Sequence, residues 1–137
     1  MLELVHILTA LQIYCKDAHY AFYGIDFKPL HEWADEILDP LQDYIDEIKE
    51  NYFIARGVDV PRGVDINSAA SDYVPTALGD NSQILANLLA IIAMAHNKIQ
   101  GIKEDAGISD LLGRLDSHLL KHIALINMAI TNKKRDE

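Results

Sequence analysis

The sequence predicts an all-α protein, a four-helix bundle whose second and third helices are joined by a long crossover. Half of the 137 residues are apolar, enough to build a core. Apolar residues recur at helical spacing, and no stretch sustains two-residue alternation. Turn-forming residues gather in one central stretch, Val58 to Asp80. Two short connections and one long central one are the connectivity of a bundle with a single crossover.

The first helix runs from about Leu2 to Tyr23, with Leu4, Leu8, Leu11 and Cys15 on one stripe, and ends at Gly24. Asp26 is placed to cap the second, which tolerates Pro29 in its first turn and runs from about Lys28 to Arg56, stopping at Gly57. Pro40 lies inside it, where a missing N–H and a ring clash cost about 3 kcal/mol; a kink or bulge is expected there, not an open loop. The crossover holds Pro61, Gly63, Asn67, Ser68, Ser71, Pro75 and Gly79, with room for a short helix around Ile66 to Tyr73. A third helix follows Asp80 and reaches about Glu104. A fourth runs from near Ile108 to about Asn132, leaving Lys133, Lys134, Arg135, Asp136 and Glu137 as a charged tail. All 137 residues are expected to form one domain.

The formal net charge of −9 opposes broad nucleic-acid binding and favours cations. One cysteine, Cys15, allows no internal disulfide and fits a reducing compartment. The longest apolar run, Ile84 to Ala95, is interrupted by Asn87 and falls short of the roughly 20 residues that span a bilayer. With Glu3 almost at the start and no basic n-region, no secretory signal is expected, and a soluble cytoplasmic protein without membrane contact is.

Five residues carry the chemistry: His19, His31, Asp35, Asp46 and Glu50. The pairs His31/Glu50 and Asp35/Asp46 share one midpoint, between Pro40 and Leu41. Along a helix Asp35 and Asp46 stand roughly 16 Å apart, too far for one ion to touch both. Two copies packed antiparallel about a two-fold axis near residue 40 bring His31 opposite the partner's Glu50 and Asp35 opposite the partner's Asp46. His19 stands as far before the hairpin turn as His31 stands after it, so the two histidines should lie level. The spacing thus predicts a mixed imidazole and carboxylate metal site between subunits, twice per dimer, suited to iron, manganese or zinc more than calcium.

This constellation resembles that of the Dps family (DNA-binding proteins from starved cells, the mini-ferritins). The family pattern is a histidine, a second histidine twelve residues on, then acids four, fifteen and nineteen residues after the second histidine; His19, His31, Asp35, Asp46 and Glu50 fit all five positions. The crossover, with Gly57, Pro61, Arg62 and Gly63 followed by Ser68, Tyr73 and Pro75, is also similar, as is Asp110-Leu111-Leu112 leading to Asp116. The resemblance implies a ferritin-like fold assembled as a hollow dodecamer. Iron is then oxidised by hydrogen peroxide or oxygen at ferroxidase sites on the two-fold interfaces, relieving oxidative stress, and stored as a ferric mineral. It also implies that acids near the turn between helices three and four, here Glu104, Asp105 and Asp110, line an iron-entry pore.

The chain departs from the family pattern in places. Tyr20 follows the first ligand histidine where the family often has tryptophan, and Trp33 stands beside the second, either as an oxidisable aromatic or as packing. No lysine-rich amino-terminal extension is present, and the Lys133, Lys134 and Arg135 cluster is offset by Asp136 and Glu137, so DNA binding is not expected. A Glu-x-x-His pair occurs once, at Glu3 and His6, short of the two copies that an intra-bundle di-iron site needs. His118 and His122, four apart, read as a structural pair, and His96 as a buried or interface residue. The alternative to iron oxidation is a non-catalytic metal-binding shell or a DNA-protecting structural protein of the same fold.

Overall fold

The computed structural model describes residues 1–131, and no strand occurs among them. Helix α1 spans Leu2–Ala21, α2 Phe27–Leu38, α3 Leu41–Ile48, α4 Gly63–Ala70, α5 Asn81–Gln100 and α6 Ala106–Ile130. The expected end of the last helix at Asn132, and the tail cluster Lys133, Lys134 and Arg135, lie outside the described residues. No helix among the described residues is long and apolar enough to cross a membrane.

Helix α1 is buried on several sides, through Leu4, Val5, Ile7, Leu8, Leu11, Tyr14, Cys15 and Ala18. It packs against α2, α3, α4 and α5, which explains why its apolar residues exceed one stripe. Helices α2 and α3 each bury one narrow face, Ala34 and Ile37 on the first, Leu41, Ile45 and Ile48 on the second. Helix α5 contributes Ile84, Leu88, Ile91, Ala95 and Ile99, and α6 contributes Ile108, Leu111, Leu115, Leu119 and Ile126; all join one contiguous core. Asn87, which breaks the apolar run of α5, donates from Nδ2 to the hydroxyl of buried Tyr14 at 2.8 Å. That bond satisfies the one polar atom a tyrosine brings inside.

Both long C-terminal helices begin on an aspartate cap. Asp80 Oδ1 accepts from the Gln83 amide at 2.8 Å, and Asp105 Oδ1 from the Ile108 amide at 3.2 Å. The crossover holds α4 and a single 3-10 turn, Ser71–Tyr73, close to the short helix expected there.

One expectation is corrected. The second helix is not continuous from Lys28 to Arg56 but is divided into α2, α3, a π-helical turn at Lys49–Phe53 and a 3-10 turn at Ile54–Arg56. The first break is at Asp39 and Pro40, because proline has no N–H for the helix ladder. Both residues keep right-handed helical angles (φ −55° and −75°), Asp39 N donates to Asp35 O at 2.8 Å and Tyr44 N to Pro40 O at 3.3 Å. The chain stays helical through the break. At the far end Gly57 takes a left-handed conformation (φ 69°), its amide bonding Ile54 O at 2.9 Å and the Val58 amide reaching Phe53 O at 3.0 Å. This paired closure is a Schellman motif, and it needs the positive φ that glycine adopts without strain.

Candidate metal centre

The α1–α2 hairpin brings His19 and His31 side by side, as their spacing about the turn predicts. Their rings stack with centroids 3.4 Å apart. Each Nδ1–H donates to the other residue's backbone carbonyl: His19 Nδ1 to His31 O at 3.0 Å, and His31 Nδ1 to His19 O at 2.6 Å. His19 lies in the last turn of α1, where carbonyls lose their intrahelical partners, so the second bond fills a vacancy that the helix end creates. Because a carbonyl only accepts, both neutral imidazoles are held with the proton on Nδ1 and the lone pair on Nε2. A metal-binding histidine is oriented in this way, one ring nitrogen donating to a carbonyl and the other left to ligate.

Asp35 sits one turn beyond His31, with Oδ1 3.1 Å from His19 Nδ1. All three side chains are half-buried on the protomer surface. Asp46 and Glu50 are exposed, further along the same rod, Asp46 on α3 and Glu50 in the π-helical turn. Such widened turns occur mostly inside α-helices and are frequent at functional sites. Among the described residues, no three histidine, cysteine, aspartate or glutamate side chains of the single chain form a ready cluster for a metal ion. His31 and Asp35 each contact His19; Asp46 and Glu50 lie further along the rod.

Gln42, Phe27 and Asn81, which the sequence did not single out, complete the surroundings together with Tyr20. Gln42 Nε2 donates to Asp46 Oδ1 at 2.8 Å, and its own Oε1 accepts from Gln12 Nε2 at 3.0 Å, so α1 steadies the carboxylate through Gln42. Phe27 lies against the His31 ring (4.8 Å between centroids) and Tyr20 edge-on to His19 (4.9 Å). Both signals were present as spacing: Gln42 precedes Asp46 by four residues, as Phe27 precedes His31. Asn81 clamps the hairpin, accepting from the Tyr23 amide at 3.2 Å and donating to Tyr23 O at 2.8 Å. Burial, and secondarily the Asp35 carboxylate, push the Cys15 thiol up, so it stays protonated and apolar in behaviour.

The other candidates have structural partners. Trp33 Nε1–H donates to His122 Nδ1 at 3.0 Å, and His118 Nε2–H to Ile37 O at 3.0 Å, so the pair on α6 ties that helix to α2. Burial, reinforced by His118 and Lys121, lowers the His122 imidazole to about 4. His96 Nδ1 bonds Asp116 Oδ1 at 2.6 Å, joining α5 to α6. Glu3 bonds Lys98 at 2.5 Å and Tyr73 at 3.1 Å. Of the three acids near the α5–α6 turn, Glu104 pairs with Arg56, Asp105 caps α6, and Asp110 pairs with Arg114 at 3.2 Å.

The fold matches that of a known protein. The X-ray structure of Dps from Thermosynechococcus elongatus superposes with a TM-score of 0.82 at 19% sequence identity, covering 96% of this chain and 87% of that one. The chain therefore has a Dps-like, ferritin-like fold. No protein-family model matches the chain, and no curated protein does.

Proposed function

We propose that this chain is a mini-ferritin that oxidises and stores iron, with each oxidation site divided between two copies related by a two-fold axis near Pro40. His19, His31 and Asp35 of one copy face the partner's Asp46 and Glu50. The observation that carries this reading is the reciprocal histidine lock, which points both Nδ1 protons at carbonyls and leaves both Nε2 lone pairs for a metal. The exposure of Asp46 and Glu50 supports it, since carboxylates meant for a second copy must reach the surface of the first.

Ferrous iron is the substrate. Two ions held close together each release one electron; hydrogen peroxide accepts both, its O–O bond breaks, and two protons complete two waters. Oxygen is the alternative acceptor. The carboxylates neutralise charge and bind both iron oxidation states, while the imidazoles supply nitrogen donors. The ferric product is stored inside a hollow dodecamer in the cytoplasm, and Glu104, Asp105 and Asp110 draw ferrous ions inward. DNA is not a partner in this reading, given the net charge of −9.

The test is to mix purified protein with ferrous ion and stoichiometric peroxide and follow ferric absorbance. Rapid oxidation that is lost on His31→Ala and on Asp46→Asn supports the proposal. Oxidation no faster than in buffer removes it, leaving a metal-binding shell.

A further inference from the structure

The rod from Phe27 to Arg56 carries more mirrored positions than its four candidate ligands account for. Phe27 precedes His31 by four residues and Ile54 follows Glu50 by four, so each stands about one turn outside a ligand pair on the rod. The Phe27–His31 ring contact confirms that these two share a face. Phe27 is 40% exposed and Ile54 60%, and no large apolar side chain between them is exposed. Like the two ligand pairs, Phe27 and Ile54 are centred between Pro40 and Leu41. Glu32 and Lys49 share that centre too and carry opposite charges.

We propose that these end pieces mate across the dimer: Phe27 of each copy packs on the partner's Ile54, forming an apolar cap over the outer end of each metal site. A second copy is the occupant because its residues match in register: apolar meets apolar at the ends, acid meets base at Glu32 and Lys49, and histidine meets carboxylate at the ligands. Either residue alone is an ordinary exposed hydrophobe. The cap keeps bulk water from the outer side of the site and fixes the register in which the ligands meet. This inference rests on the divided-site reading for its two-fold axis.

The test uses short bismaleimide cross-linking of Phe27→Cys, Ile54→Cys and the double variant, with denaturing gels as readout and no iron present. Cys15, the sole native cysteine, is fully buried and silent to the reagent. In the double variant residue 27 of one copy lies beside residue 54 of the other, so a covalent dimer is expected. In either single variant the two introduced thiols stand roughly 40 Å apart along antiparallel rods, and no dimer is expected. Absence of the dimer in the double variant, or equal cross-linking in a single one, overturns the cap. A second measurement uses Phe27→Glu and Ile54→Lys: each alone lowers the sedimenting mass, and the pair together restores it. Unchanged mass in the single variants also overturns the proposal. Because no readout involves iron, a failed oxidation assay leaves the cap standing, and a failed cap leaves oxidation to its own test.

Discussion

Both Nδ1 atoms of the histidine pair are occupied by carbonyls, so each histidine orients the other. Under the proposed function, His19→Ala removes one ligand and also frees the His19–His31 stack. Peroxide-driven oxidation is expected to fall roughly tenfold or more, on the scale of lost supporting contacts at metal sites, as read by ferric absorbance. His122 gives a prediction independent of iron. Its imidazole is lowered to about 4 in the fold from the ordinary 6.5. The unfolded chain therefore binds the proton first, and stability is fully present above about pH 6.5 and declines as the pH falls toward 4. The loss has an upper limit of about 3 kcal/mol. Urea denaturation at pH 7 and pH 4.5 should show that decline, smaller in His122→Asn, which keeps an acceptor for Trp33 but cannot titrate. An equal decline in both proteins contradicts this assignment.

At the scale of elements, the helical spacing of apolar residues made α1, α5 and α6 legible, although α1 is buried on several sides and exceeds one stripe. The subdivision of the second helix was legible only in part. Pro40 announced the break through its missing N–H, whereas the π-helical turn at Lys49–Phe53 has no proline or glycine to mark it. The aspartate at the start of α6 was read as a pore acid, yet its carboxylate also caps a helix, a contact that depends on backbone geometry no spacing shows. Gly57→Ala puts a Cβ where φ is 69° and should cost about 1 kcal/mol, measured as a lower urea midpoint with unchanged slope. No loss would mean that the Schellman closure is not what ends the rod.

For the whole molecule, four of the five candidate ligands were legible because their spacing is mirrored, and under the proposed function a second copy completes that mirror. The His19–His31 contact is present in the single chain, since the hairpin makes it internal; under the proposed function the remaining carboxylates come from a second copy. The proposed entry route depends on such an assembly too. Replacing Glu104, Asp105 and Asp110 with Gln, Asn and Asn keeps the amide acceptors, the α6 cap among them, while removing charge. Iron uptake should slow several-fold while metal binding at the dimer site persists; unchanged uptake would refute the pore. The most direct test of the divided site is subunit mixing. His31→Ala and Asp46→Asn chains are each expected to be inactive alone. Unfolded together and refolded, they form mixed dimers in which one of the two sites draws His31 and Asp46 from unaltered positions on opposite chains. Roughly a quarter of wild-type oxidation should return, as random pairing about a two-fold axis requires. A mixture as inactive as its two components would contradict the account, because ligands confined to one chain cannot complement across a pair.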